Sequence, residues 1–157
     1  MFKLVSQEED RSIFNTKASA IVNPVNCKGI AGAGLALAFK WKYPKEVAEY
    51  IRACKAGELS VGKVLVCPTG QRDGVRWVIH LPTKDDWRAP SRLEYVVSGC
   101  QALAEAMMEH DIPSVALPAL GCGCGALKWA DVEPAIRSAL ADAAAAGRVV
   151  LLYEPKP

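Results

Sequence analysis

Two glycine-rich segments hold the residue types best suited to chemistry. The first runs Asn26-Cys27-Lys28-Gly29-Ile30-Ala31-Gly32-Ala33-Gly34, and the second Gly121-Cys122-Gly123-Cys124-Gly125-Ala126. Glycine tolerates positive φ and lets the backbone approach a ligand closely, so successive N–H groups can converge on a phosphate. The first segment leads into a helical stretch, whose N-terminus would add further amides and a favourable dipole. Either segment alone is equally well explained as a tight turn with no ligand. Together they suit a diphosphate gripped from both sides. The Gly-Lys-Ser/Thr ending of a P-loop is missing, and the Rossmann glycine spacing is not met cleanly. No acidic cluster adjoins either segment, so binding would rest on amide dipoles without Mg²⁺. Cys122 and Cys124 are two apart with only His80 and His110 in the chain, and no metal site is expected from that spacing.

The elements that must position these loops alternate between strand and helix. Phe2 to Ser6 reads as a first strand, and Ala18 to Val25 as a second that stops at the first glycine-rich loop. Gly34 to Trp41 reads as helix. Pro44 opens another, with Val47, Tyr50, Ile51 and Cys54 spaced to form one buried face. Val61 to Cys67 and Trp77 to Leu81 are short β-branched-rich runs separated by the turn material Thr69 to Gly74. Ser91 and Glu94 have the spacing of a capping box, ahead of a stripe of Leu93, Val96, Val97, Cys100, Leu103 and Met107. Ser114 to Pro118 is a buried strand that feeds the second loop. A last helix with Val132, Ile136, Ala139 and Leu140 inward ends at Gly147, and Val149 to Tyr153 closes the sheet. This pattern predicts a three-layer α/β/α sandwich with a mixed, largely parallel central sheet. In such sheets ligands bind outside the carboxyl ends of the strands, where both glycine-rich loops lie.

Composition bounds the rest. The 157 residues suit one domain, 1–157, and 51% hydrophobic with 23% charged residues is globular in character. A formal charge of +2 is far from the footprint of a protein that coats a duplex, although a few placed cations would suffice for a strand end or a flipped base. No run of about 20 apolar residues is present to span a membrane. Met1 to Asp10 lacks the apolar core of a signal peptide. The six cysteines lack disulfide-framework spacing, which suits reduced thiols in a cytoplasmic protein. A monomer is expected.

Asn23-Pro24-Val25-Asn26, the loop to Gly34, and Pro118-Ala119-Leu120-Gly121-Cys122-Gly123 resemble the two signature segments of macrodomains, and the likeness covers nearly the whole chain. Leu81-Pro82-Thr83-Lys84-Asp85-Asp86-Trp87-Arg88 with Pro90-Ser91-Arg92-Leu93-Glu94-Tyr95 is similar to the macrodomain of the DarG-type antitoxins. Those enzymes remove ADP-ribose from thymidine bases in DNA. They share a branch with the terminal ADP-ribose protein glycohydrolases, which act on glutamate. The resemblance implies ADP-ribose as ligand and product, no cofactor, and ADP-ribosylated single-stranded DNA as substrate. ADP-ribosylated protein, O-acetyl-ADP-ribose hydrolysis and non-catalytic reading of ADP-ribose remain as alternatives. A toxin partner is not readable. DarG proteins carry a further C-terminal region, so a chain ending at Pro157 is expected to be a stand-alone enzyme or a fragment.

Residue by residue, the resemblance makes Lys84 and Asn26 the catalytic residues, Lys84 as the lysine of the reaction and Asn26 holding the distal ribose. Without it, Lys84 is an ordinary solvated charge at a strand end and Asn26 an Asx-turn residue. Contacts to ADP-ribose are implied for Ser12, Ile13, Asn23, Gly29, Gly32, Ala33, Gly34, Leu35, Pro118, Gly121, Cys122, Gly123, Cys124 and Gly125. Tyr153 is placed to stack on adenine or to fill core. Trp87 and Arg88 are candidates to stack on or clamp the target base, with Trp87 equally suited to packing at the core edge. Asp85 and Asp86 are potential acids or bases, or plain turn residues. The chain departs from the family where a Gly-Asp pair reads adenine, since Ser12 takes the place of the aspartate. Adenine recognition would then rest on backbone groups, or on Asp10 or Arg11 from a shifted position.

Overall fold

The computed structural model describes residues 1–6 and 12–156, so the expectations on Asp10 and Arg11 lie outside the described residues. Strand alternation organises the fold. In β2 (Ala20–Val25), Ala20 and Val22 face one hydrophobic cluster while Ile21 and Val25 face the other. β4 (Trp77–Pro82) repeats this, with Ile79 and Leu81 on the first side and Val78 on the second. Both central strands are thus buried on two faces, as a covered parallel sheet requires.

The six strands run in the order β1-β6-β5-β2-β4-β3. β1 (Phe2–Val5), β6 (Val149–Tyr153), β5 (Ser114–Leu117), β2 and β4 are mutually parallel, and β3 (Leu65–Pro68) is antiparallel to β4. α1 (Gly34–Lys42) and α2 (Pro44–Lys55) cover one face through Phe39, Val47, Tyr50 and Ala53. α3 (Leu93–Glu109) and α4 (Trp129–Ala139) cover the other through Val96, Cys100, Leu103, Met107, Val132 and Ile136, and α5 (Ala141–Ala145) packs beside them. The mixed, largely parallel α/β/α sandwich is the architecture observed. Among the described residues, no helix is long and apolar enough to cross a membrane.

Three local expectations are corrected. Ser91 does not cap α3. Arg92 occupies the N-cap position, with no side-chain capping bond, while Ser91 is buried and its hydroxyl donates to Thr83 Oγ1 at 3.2 Å. The third strand begins at Leu65 rather than Val61, because Gly62 (φ +88°) turns the chain first. The last helix is two pieces, broken at Leu140 (φ −102°, ψ 8°), a turn that leaves both Leu140 and Ala143 buried.

Candidate functional site

The parallel strands β2, β5 and β6 end on the same side of the sheet, and their following loops wall a cleft of about 900 Å³. One wall is the end of the first glycine-rich loop and the first turn of α1, namely Gly32, Ala33, Gly34, Leu35 and Ala36. Gly34 has φ +57° at the helix entrance, a conformation that a side chain disfavours. The first-turn N–H groups of α1 lack intrahelical acceptors and border the cleft. The opposite wall is Pro118, Ala119, Gly121, Cys122, Gly123, Cys124 and Gly125. Cys122 N–H closes a turn onto Ala119 O, and Leu127 N–H onto Gly121 O. The amides of Gly123, Cys124 and Gly125 are left with no acceptor among the described residues. A Cβ placed on Gly34 would stand 3.8 Å from Cys124 Sγ, so the two amide-bearing loops approach each other closely.

Glycine is required in the second loop for two separate reasons. Gly121 has φ +73°, and a Cβ there would lie 2.6 Å from Leu127 Cδ1. Gly125 has an ordinary φ, but a Cβ would fall on Ser91 Oγ and 2.6 Å from Gly121 O. The Ser91 N–H donates to Gly125 O at 3.1 Å, and this bond ties the loop to the segment before α3. That segment carries Thr83, Lys84 and Trp87 into the same cleft. It is anchored in turn to β2 and the first loop, by Thr83 N–H to Val25 O (2.9 Å) and Cys27 N–H to Asp85 O (3.0 Å).

Lys84 is half-buried at the cleft wall and forms no ion pair among the described residues. Trp87, 54% exposed, stands at the rim. Arg88 is turned to its own neighbours: its Nε and Nη2 donate to Asp86 at 3.0 and 2.8 Å, and its guanidinium carbon lies 5.7 Å from the Trp87 ring centroid. Arg88 does not line the cleft. Its side chain and N–H hold the Asp86 carboxyl far below the usual carboxylate range, which removes Asp86 as a proton donor. Asp85 is exposed outside the cleft wall.

Of the expected ligand contacts, Ser12, Ile13, Asn26, Gly32, Ala33, Gly34, Leu35, Pro118, Gly121, Cys122, Gly123, Cys124, Gly125 and Tyr153 all line the cleft. Ser12 is also the cap of a 3₁₀ turn, accepting from Phe14 N–H at 3.3 Å. Asn23 and Gly29 are corrections. Alternation along β2 turns Asn23 toward α2, wholly buried, where its Nδ2 meets His80 Nδ1 at 3.2 Å. Gly29 faces α2, with its Cβ position 3.4 Å from Cys54 Cβ. Asn26 reaches the cleft and also performs its Asx-turn task. Its Oδ1 accepts from Lys28 N–H at 2.9 Å, while its Nδ2 donates to Ile30 O at 2.9 Å.

Sequence reasoning missed Phe14, Thr83, Ser91 and the segment Glu154–Lys156, all in the cleft wall. Thr83 adjoins the lysine in sequence and Ser91 follows it by seven residues, at the end of the same segment, which is the available signal. Glu154 to Lys156 arrive because Glu154 N–H donates to Val5 O, extending the β1–β6 pairing past its last residue.

Behind the first loop, His80 Nε2 lies 3.0 Å from Glu46 O, where it can only be the donor, so Nδ1 accepts from Asn23. Burial lowers the His80 pKa to about 4, against smaller opposing effects of the Glu46 carbonyl and the Glu49 charge. The folded value lies below the unfolded one of about 6.5, so the unfolded chain binds the extra proton. Stability is therefore full above about pH 6.5 and is lost as pH falls toward 4. His80→Gln is expected to flatten the fall in Tm between pH 7 and pH 5, a window in which His80 costs about 2 kcal/mol. Parallel Tm–pH curves for wild type and variant would refute this.

A family model described as "Macro domain" matches residues 22–136. A Mycobacterium tuberculosis protein named DNA ADP-ribosyl glycohydrolase is 46% identical over 127 residues, 81% of this chain and 36% of the relative. The chain thus spans little more than a third of the length of such curated relatives. The solved macrodomain of Mycobacterium tuberculosis DarG superposes with a TM-score of 0.92 at 40% identity, covering 99% of both chains. Thermosipho africanus DarTG in complex with ADP-ribose superposes with a TM-score of 0.81 at 27% identity, covering 93% of this chain and 41% of that one. The chain belongs to the macro domain family, in the company of the DarG macrodomains.

Proposed function

We propose that the chain binds ADP-ribose in the cleft and hydrolyses the bond between its distal ribose and a thymidine base in single-stranded DNA. The observation that carries this reading is the placement of Lys84, which forms no ion pair among the described residues, in the wall of a cleft whose two other walls offer backbone amides. The amides suit the diphosphate. The names of the DNA-directed relatives support the choice of substrate.

Cleavage breaks the bond from ribose C1″ to thymine N3. Water supplies hydroxide to C1″ and a proton to N3, so no cofactor is consumed. Negative charge develops on the leaving base, delocalised over two carbonyls, and an ammonium beside it lowers the barrier. As a neutral amine, Lys84 would instead attack C1″ and leave a covalent adduct for water to resolve. Asn26 holds the distal ribose through its amide group, and Tyr153 stacks on adenine. The exposed Trp87 ring is the contact for the target base or its neighbour.

The test is an oligonucleotide carrying ADP-ribosyl-thymidine, beside a glutamate-linked ADP-ribosyl protein and O-acetyl-ADP-ribose. Release of the unmodified strand supports the proposal. Turnover of only the ester substrates places the enzyme on the protein-directed side, and tight ADP-ribose binding without turnover makes it a reader. Trp87→Ala is expected to raise KM for the oligonucleotide by about tenfold, the scale of one base–aromatic stack, with ADP-ribose affinity unchanged. Equal loss in both measurements would give Trp87 a packing role instead.

A further inference from the structure

We infer that Tyr50, on α2 outside the cleft, is a positioning residue that sets Asn26 as a pure hydrogen-bond donor toward the distal ribose. This rests on the reading of the cleft as an ADP-ribose site. An asparagine carboxamide can present either its oxygen or its nitrogen to a ligand, and rotation by 180° exchanges them with little change of shape. Asn26 is denied that choice. Its Oδ1 is 2.9 Å from Lys28 N and 3.4 Å from Ile30 N, both donors within the loop. The Tyr50 hydroxyl shares its one hydrogen between the Asn26 carbonyl oxygen at 2.8 Å and Oδ1 at 3.0 Å, and so adds a bifurcated third donor from a different element. Rotating the amide would turn Nδ2 onto these donors.

With Oδ1 held inward, Nδ2 gives one hydrogen to Ile30 O at 2.9 Å. Its second hydrogen is the one available to the cleft that Asn26 lines. The ribose oxygen that meets it must accept.

Tyr50 is itself fixed. It is wholly buried, and its ring stacks on His80 with centroids 5.2 Å apart and planes at 27°. His80 in turn is held at both ring nitrogens by Asn23 and the Glu46 carbonyl. Burial raises the Tyr50 phenol well above its ordinary value, so the proton it donates stays in place. A rigid aromatic pair, Tyr50 on α2 and His80 on β4, thereby bears on the first loop from behind the cleft.

ADP and ADP-ribose separate this role from general support of the loop, because ADP lacks the distal ribose. Tyr50→Phe removes one hydroxyl and keeps the ring. It is expected to weaken ADP-ribose about three- to tenfold, the worth of one hydrogen bond, while ADP affinity stays within about twofold. In an Asn26→Ala background the same substitution should leave the ADP-ribose to ADP ratio unchanged. Equal weakening of both ligands by Tyr50→Phe overturns the inference, as does a full effect in the Asn26→Ala background. Should Tyr50→Phe fail to fold, the wild-type side-chain amide resonances of Asn26 decide. They should move with ADP-ribose and stay with ADP, and the converse refutes the assignment. If wild type binds neither nucleotide, the cleft reading fails first and this inference with it. If it binds both equally well, only the role given to Asn26 and Tyr50 fails.

Discussion

Lys84→Ala is expected to lower kcat on ADP-ribosyl-thymidine DNA by about a thousandfold, the scale on which a preorganised electrostatic contact acts. ADP-ribose affinity should stay within about threefold, because in the proposed binding mode the diphosphate lies against the amide-bearing loops around Gly34 and Gly123 to Gly125 rather than on Lys84. The asymmetry matters more than either figure. A contact made only as the leaving base gains charge lowers kcat without touching ground-state binding. Single-turnover cleavage and calorimetric binding on the same preparation check both halves. Retained turnover in the variant would remove Lys84 from the chemistry. Lys84→Arg then separates the two routes. A guanidinium can still stabilise the departing thymine anion, so partial activity supports the electrostatic role, whereas complete loss with intact binding supports attack by the amine.

The second large effect is structural. Gly125→Ala should cost about 2–3 kcal/mol, lowering Tm by roughly 5–10 °C, because the new methyl would fall on Ser91 Oγ and the Gly121 carbonyl. The φ of Gly125 is one that alanine accepts, so the cost is steric alone. The displaced loop would also carry away amides that border the cleft, and ADP-ribose affinity should fall with stability. Gly123→Ala is the matched control. A Cβ there meets nothing within 4 Å, so Tm should change by about 1 °C or less. Thermal melts of the two variants side by side measure the contrast. Equal Tm values would mean that the Ser91 contact yields freely.

Much of this site was legible before the fold was known. Glycine spacing marks places where a backbone must turn sharply or approach a ligand, and both marked loops do line the cleft. Thr83, Lys84 and Trp87 also line it, as their position at a strand end implies. Arg88 did not follow, because a carboxylate two residues away satisfies its guanidinium locally. Ser91 departs from its expected capping role for a related reason. The capping-box spacing is a local signal, whereas the hydroxyl is claimed by Thr83 and the N–H by Gly125, partners brought near only by packing.

What the amino-acid order determined by itself was the alternation of strands and helices, the loops at strand ends, and the presence of a lysine beside them. Hydrophobic period and glycine conformation are properties of short stretches and can be read from short stretches. The tertiary structure decided which face each polar residue joined. Asn23 and Asn26 are three residues apart, yet the strand's alternation buries the first against His80 under α2, while the second, past the strand's end, reaches the cleft. It also brought Glu154 to Lys156 to the cleft and set Tyr50 behind Asn26. Those outcomes depend on register and layer order between distant segments, and no local pattern encodes a contact whose two halves lie on different elements.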